Sequence, residues 1–479
     1  MPQSNTPLAT ASATQLAAAV RARSVSALDL AEAAITRIEA LDGPINAVVV
    51  RDFDRARDQA RKVDQAVADG ADLPLAGVPM TVKECFNIAG LPTTFGLESV
   101  RGYRPTEDAV AVRRLKDAGA VILGKTNVAA GLADYQVDNP IYGRTRNPHD
   151  LSRSPGGSSG GAAAALAAGM VPLELGGDAG GSIRIPAAFC GVYGHLSSFP
   201  LISLEGHGPP GGGVIVGRAW AAAGPMARTA ADLDLALKVL SGPEGRDATA
   251  YRLALPAPRR GRLADYRVFV LTEHPTAAVD DEIVAAIDGL AAVLEKAGAS
   301  VSRRSELLPS LADSQALVEK FAWTYKTGMV PDAPEPRATI KDYYDCLVAQ
   351  EVLRRAWDVF FRSFDLVIAP CYATAAFPPF PASNPWPGAN RTLRVNGAEV
   401  PFRPQTAWPL IAGMPHLPAT AAPIGRTRDG LPIGAQFIGP FLEDLTTIAF
   451  AGQVSEALGI TAEIATAGAR EGVQFGELA

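Results

Sequence analysis

The spacing of apolar positions changes several times along the chain, and each change predicts a different element. From about Ser12 to Asp69 the period is helical. Ser26, followed three residues on by Asp29, is a capping signal that opens the apolar face Leu28, Ala31, Ala34, Ile35 and Ile38. From Leu73 the texture becomes a continuous apolar run, 74–82, which predicts a short buried strand leading up to Lys83. A helical pattern over about 108–118 then feeds an apolar strand at 120–123, a βα-type alternation.

Residues 153–194 hold the densest glycine in the chain and predict a loop, a small-residue helix (161–168), a strand (171–175) and a second loop. A further Gly/Pro-rich stretch, 196–217, predicts a mobile surface loop. Helical spacing returns over about 278–300 and 311–362, and 365–370 has the texture of a buried strand. Residues 374–409, rich in proline and aromatics (Phe377, Phe380, Trp386, Phe402, Trp408), predict an irregular, partly exposed wall. A strand at 432–438 and a helix at about 443–458 close the chain, and no internal repeat appears. The fold class this predicts is α/β: one large mixed, twisted sheet flanked by helices on both faces.

Composition narrows function more than fold. The 479 residues are 48% hydrophobic and 20% charged, ordinary globular proportions, and a chain this long needs no disulfide or metal to staple its core. A net charge of −6 and a pI near 5.6, with no Lys/Arg-rich run, argue against a nucleic-acid partner. Cys85, Cys190, Cys346 and Cys371 form no C-x-x-C pair, so buried reduced thiols are expected rather than a metal site. No signal-peptide pattern and no bilayer-length apolar span is seen, which predicts a cytoplasmic protein without membrane contact. Nothing in the composition asks for a cofactor.

Two familiar motifs fail on context. Residues 119–126 match the Walker A pattern letter for letter, but the residues between its glycines are themselves a predicted strand and a helix precedes them. A phosphate loop needs the opposite order, strand before and helix after. Residues 156–160 match G-x-S-x-G around Ser158, with His416 late in the chain, as an α/β-hydrolase esterase would require. A helix follows that match, but a turn-rich loop, 147–155, stands where the strand should be.

A third constellation uses more of the sequence. Ser158 and Ser182 each sit in a Gly-rich loop, at 156–161 and 176–182. Glycine there permits unusual backbone angles and close approach of N–H groups. The run Ala179, Gly180, Gly181, Ser182 can aim successive amides at one oxyanion, each worth roughly 3 kcal/mol of barrier. The bland reading is two loops packed tightly together. Lys83 ends an apolar run, where burial can lower an amine by the roughly three units that a neutral base requires. Its own bland reading is an ion pair with Glu84. Because Lys83, Glu84 and Cys85 are adjacent, a Glu-Lys-Cys carbon–nitrogen hydrolase is a rival, although neighbours in a strand point to opposite faces.

The stretch Leu151 to Gly161, continued by Gly176 to Ala187, resembles the signature of the amidase signature family, stand-alone type. The similarity extends upstream to 77–84 and 124–127, and downstream to 224–228, 365–370 and 429–434. It implies a Ser–cis-Ser–Lys triad: Ser182 as nucleophile, Ser158 as bridging serine on a cis peptide, and Lys83 as base. It further implies an oxyanion hole from the amides of Ala179, Gly180, Gly181 and Ser182, with Asp178 and Arg184 as a supporting pair. Gly131, Leu132 and Tyr135 match a substrate-lining segment.

The implied activity is hydrolysis of a small, hydrophobic or aryl amide through an acyl-enzyme, with esters and carbamates also admitted. No partner beyond the small-molecule substrate follows, and a homodimer is allowed. The implied organisation is one amidase domain over 1–479: a helical part at 1–70, a catalytic α/β core at 71–245 and 364–479, and a helix-rich insertion at 275–363.

Departures from the family pattern fall near the expected substrate site. Gly177 stands where Ser or Thr is usual and Ala179 where Thr or Ile is usual. Gly194-His195-Leu196-Ser197-Ser198 replaces a Gly-Leu-Lys-Pro-Thr type sequence. The stretch 204–210 resembles a loop of stand-alone amidases rather than the amidase chain of the glutamyl-tRNA amidotransferase. His195 and His207 are expected to be ordinary polar loop residues. A non-catalytic binding protein on this scaffold is disfavoured by the intact Lys83, Ser158 and Ser182.

Overall fold

A computed structural model describes residues 10–208, 221–328, 335–381, 391–460 and 462–465. Helices α1 (Ala13–Arg21), α2 (Ala27–Ile45) and α3 (Phe53–Ala68) open the chain. The Ser26 hydroxyl accepts from the Asp29 amide at 2.9 Å to cap α2, which buries Ala31, Ala34, Ile35 and Ile38 and half-buries Leu28. The block read as wholly helical is broken by β1 (Val48–Arg51), because three successive valines favour extended backbone.

Strand β2 (Pro79–Lys83), helix α4 (Val110–Asp117) and strand β3 (Val121–Thr126) follow, then α5 (Gly160–Ala167), β4 (Leu173–Asp178), α6 (Arg184–Cys190) and β5 (Tyr193–Leu196). Next come β6 (Ala222–Ala227), α7 (Ala230–Leu240), the single turn α8 (Asp247–Ala250), β7 (Arg267–Val270), α9 (Asp281–Lys296) and β8 (Ser300–Ser302). The long pair α10 (Leu311–Gly328) and α11 (Ile340–Phe360) precedes β9 (Leu366–Pro370). A hairpin, β10 (Thr392–Val395) and β11 (Ala398–Pro401), leads to α12 (Ala407–Gly413), β12 (Ala419–Arg426), β13 (Pro432–Ile438) and α13 (Asp444–Leu458).

Eleven strands form one mixed sheet in the order β1-β3-β2-β4-β6-β5-β12-β13-β9-β7-β8. Its parallel pairs are β2 with β3 and β4, and β7 with β8 and β9; the remaining pairs are antiparallel. Side-chain alternation divides the core between the two faces. On β3, Val121 and Leu123 pack with residues of α2, α3 and α5, whereas Ile122 packs with α4 and α7 on the opposite side. The predicted α/β class with helices on both faces is therefore the fold of the chain.

Two sequence expectations need correction. The stretch 196–217 is not wholly a surface loop: Leu196 closes β5, and Ser197, Ser198, Leu201 and Ile202 are buried. The Asp444 carboxylate pins the segment, accepting from the Ser198 amide at 2.8 Å and its hydroxyl at 2.7 Å. Residues 209–217 lie outside the described residues. The wall at 374–409 is also more regular than expected. It contains the β10–β11 hairpin, turned by Asn396 and Gly397 at φ of 50° and 79°, a signal that Asn-Gly between strands carries. Phe377, Phe402 and Trp408 are buried there, Phe380 is half-buried, and Trp386 lies outside the described residues.

Candidate active site

Lys83 is the last residue of β2 and is almost fully enclosed, with 1% exposure. Val82 on the same strand packs into the core of one face, so Lys83 projects from the other, toward the start of α5. Its Nζ donates to Gly177 O at 2.9 Å and lies 2.9 Å from Ser158 Oγ. Ser158 is buried two residues before α5, and the Gly157–Ser158 peptide is cis. Burial lowers the Lys83 amine from its ordinary value, against the opposing pull of Cys85, Asp178 and Glu174.

Ser182 lies between β4 and α6 and is 7% exposed, more open than Lys83 or Ser158. Its carbonyl accepts from the Ser159 amide at 3.1 Å, which ties the two Gly-rich loops together beside Lys83. The fold therefore brings the Lys83, Ser158 and Ser182 segments to one place from three separate stretches.

Asp178, at the end of β4, organises the loop that follows. Its carboxylate accepts from the amides of Gly180 at 3.1 Å, Gly181 at 2.6 Å and Ile183 at 3.1 Å. It also accepts from Arg184 Nε at 3.0 Å. Burial alone would raise this carboxyl, but the Arg184 charge and these donors hold it below its ordinary value. Arg184 is itself fully buried and donates to Pro409 O and Gln436 Oε1, both at 2.6 Å. Of the four amides at 179–182, those of Gly180 and Gly181 are thus engaged by Asp178.

The residues matched to substrate lining are held by the protein itself. Tyr135 is half-buried and donates its hydroxyl to Gly180 O at 2.6 Å, and its ring meets Tyr372 at 5.2 Å and Phe402 at 5.8 Å. Gly131 and Leu132 form a tight turn at φ of 60° and 59°, with the Gly131 amide donated to Phe95 O at 2.8 Å.

The two histidines are not ordinary loop residues. His195 lies within β5, fully buried, with Nδ1 2.9 Å from Thr420 Oγ1 and Nε2 3.0 Å from Asp444 Oδ1. His207 pairs in a β-bridge with Phe86, and its ring meets Phe86 at 4.6 Å. Its Nε2 lies 2.9 Å from where a Cβ on Gly177 would stand.

Each rival motif meets a physical obstacle. Lys125 of the Walker-like run lies inside β3 and donates to Thr93 Oγ1 at 2.8 Å and to Pro92 O. Glu84 turns away from Lys83 and accepts from the Thr94 amide at 2.6 Å, the Phe95 amide at 2.9 Å and Tyr142 OH at 3.0 Å. Burial pushes the Cys85 thiol up to about 12, far from a thiolate nucleophile at neutral pH. His416, which the esterase reading needs, packs its ring at a 39° tilt against Phe199 at 4.9 Å, and its Nε2 lies 3.2 Å from Gln350 Nε2. All four cysteines are buried thiols.

Among the described residues no group of three or more His, Cys, Asp or Glu could hold a metal ion, and no helix is long and apolar enough to cross a membrane. Sequence reasoning passed over Glu174, buried on β4 beside this site, and the contact between Gly177 and His207. A signal existed for the first, a carboxylate inside an apolar strand.

A family described as Amidase matches residues 29–328 and 335–448. An acylamidase of Rhodococcus erythropolis is 33% identical over 452 residues, covering 89% of this chain and 91% of its own. One chain of the glutamyl-tRNA(Gln) amidotransferase from Koribacter versatilis is 31% identical over 487 residues, covering 92% and 97%. The structure of a bacterial aryl acylamidase of the amidase signature enzymes superposes with a TM-score of 0.79 at 26% identity, covering 94% of this chain and 97% of its own.

Proposed function

The chain belongs to the amidase family, as a carbon–nitrogen hydrolase of the amidase signature type, and from that premise we propose that it cleaves a small hydrophobic or aryl amide through an acyl-enzyme on Ser182. The observation that carries the reading is the buried Lys83 Nζ, 2.9 Å from Ser158 Oγ and lowered by desolvation toward the free amine. A neutral Lys83 offers a lone pair, so the Ser158 hydroxyl can donate to it along the same contact.

As Ser182 Oγ attacks the carbonyl carbon, its proton moves to Ser158 Oγ while the Ser158 proton moves to Lys83 Nζ. Of the amides at 179–182, those of Ala179 and Ser182 are the two that Asp178 does not engage, and they receive the oxyanion. The C–N bond then breaks as the proton returns along the relay to the leaving nitrogen, and water cleaves the acyl-enzyme by the same path.

The aromatic cluster of Tyr135, Tyr372, Phe377 and Phe402 supports an apolar acyl or aryl group. Esters and carbamates fit the same chemistry. The loop resemblance at 204–208 favours a stand-alone hydrolase over an amidotransferase component; its last two residues, Pro209 and Pro210, lie outside the described residues. Ser182→Ala tests the proposal. It should abolish labelling by a fluorophosphonate and turnover across aryl amides, alkyl amides, esters and carbamates, whereas labelling that persists at Ser158 would give the attack to the other serine.

A further inference from the structure

Glu174 is a buried acid that the mechanism above does not use. It lies on β4, 1% exposed, and pairs in register with Thr81 of β2. Leu173 and Leu175 on either side of it pack into the core of one face, so Glu174 projects from the other. Lys83 follows Thr81 by two residues and shares that face. The Thr81 hydroxyl donates to Glu174 Oε1. The buried hydroxyl of Thr126, which pairs with Lys83 in the strand register, is a second hydroxyl acting on the Glu174 carboxyl.

The charges around this acid are few. Lys83 is the titratable group that acts on it, with the Thr81 and Thr126 hydroxyls and the Leu175 amide as its other polar neighbours. Lys83 in turn feels Cys85, Asp178 and Glu174. Asp178 is already committed to Arg184, and Cys85 is a neutral thiol. Helix α5 adds only Gly, Ala and Leu, and the residue opposite Glu174 on β6 is Met226. Burial pushes the Glu174 carboxyl up to about 8, against the pull of Thr81, Thr126, Leu175 and Lys83.

Building on the reading of Lys83 as base, we propose that Glu174 is a positioning residue for it, resting as a neutral carboxylic acid that leaves Lys83 a free amine and, once ionised, strengthening that amine. A carboxylate at this position at rest would favour the Lys83 ammonium, which cannot accept the Ser158 proton. A neutral acid removes that penalty. When the acid loses its proton to solvent at a pH high enough to keep the resting amine free, its charge raises the basicity of that amine and favours the ammonium that forms as Ser182 attacks.

The experiment is the rate of fluorophosphonate inactivation as a function of pH, which needs no knowledge of the natural substrate. In that reaction Ser182 Oγ bonds to phosphorus, fluoride leaves, and the serine proton passes through Ser158 to Lys83. Glu174→Gln mimics the protonated acid, so it should match the wild-type rate within about twofold near pH 6.5. It should fall about tenfold behind above pH 9, because it lacks the rise that follows Glu174 ionisation. Thr81→Val removes a donor that favours the ionised acid and should move the wild-type rise to higher pH, which keeps the idea testable should Glu174→Gln not fold. Superimposed profiles for wild type and Glu174→Gln, a folded Glu174→Gln that is inert near pH 6.5, or a Thr81→Val rise at an unchanged pH would each overturn the proposal. Lys83→Met is run beside them. If it still labels at Ser182, the base reading itself fails and takes this one with it; if Lys83→Met is inert while Glu174→Gln parallels wild type, only the role of Glu174 fails.

Discussion

Gly177 and His207 exclude a side chain from each other's space. The His207 Nε2 stands 2.9 Å from the point where a Cβ on Gly177 would be, and the Gly177 carbonyl accepts from Lys83 Nζ at 2.9 Å. A residue added at 177 must displace either the imidazole or the strand end that holds the base. The His207 imidazole fills the space that a side chain at 177 would need. Gly177→Ser should therefore lower kcat/KM by about tenfold, a loss of about 1.4 kcal/mol of transition-state stabilisation. Gly177→Ser combined with His207→Ala should recover most of that loss. A double-mutant cycle on one aryl amide reads the coupling, and additive losses would show the contact to be incidental.

Tyr135 gives its hydroxyl to Gly180 O at 2.6 Å, so it braces the loop before Ser182 instead of offering that hydroxyl to substrate. Tyr135→Phe removes one hydrogen bond, roughly 0.5–1.5 kcal/mol. The loss should appear mainly in kcat, about twofold to tenfold, with KM little changed. A KM effect of that size with kcat preserved would return Tyr135 to direct substrate contact.

Asp178 and Arg184 are an ion pair with side-chain exposures of 1% and 0%. Asp178→Ala leaves the buried guanidinium without its counter-charge and should cost about 3–5 kcal/mol of stability, measured by urea unfolding. The wild-type contribution also has a pH sign. The folded carboxyl sits below its ordinary 3.8, so the pair's stabilisation is present above that value and is lost as pH falls through the folded one. Asp178→Ala should accordingly show less acid sensitivity than wild type.

Lys83 carries the same sign in a more alkaline window. Its folded amine lies below the ordinary 10.5, so over the interval between the two values the unfolded chain binds more protons. Wild-type stability should rise with pH through that interval relative to Lys83→Met, read from unfolding midpoints at several pH values. Activity should disappear in Lys83→Met, by about 10²–10⁴-fold if proton transfer is what it supplies. A pH-independent stability difference would mean that the amine is not desolvated.

Much of the architecture was legible because its signals are local. The Ser26 cap, the apolar run into Lys83 and the small-residue helix after Ser158 need only neighbours in sequence, and each appears within a few residues of its expected place. The strand β1 and the β10–β11 hairpin were passed over, although three valines and an Asn-Gly pair marked them. His195 was misplaced for a different reason. Nothing around it in sequence reveals Thr420 or Asp444, which lie 225 and 249 residues away.

The sequence by itself determined the α/β class, the membership of Lys83, Ser158 and Ser182 in one motif set, and the identity of the family. Those depend on residue type, order and period, which are properties of the chain alone. Only the tertiary structure decided which side chains meet: that Lys83 faces Ser158 and Gly177, that Gly180 and Gly181 lend their amides to Asp178, and that Glu174 shares the Lys83 face. The physical reason is the two-residue period of a strand combined with its register. Which face a residue occupies can be counted along the strand, but what it meets there is set by partners hydrogen-bonded from elsewhere in the chain.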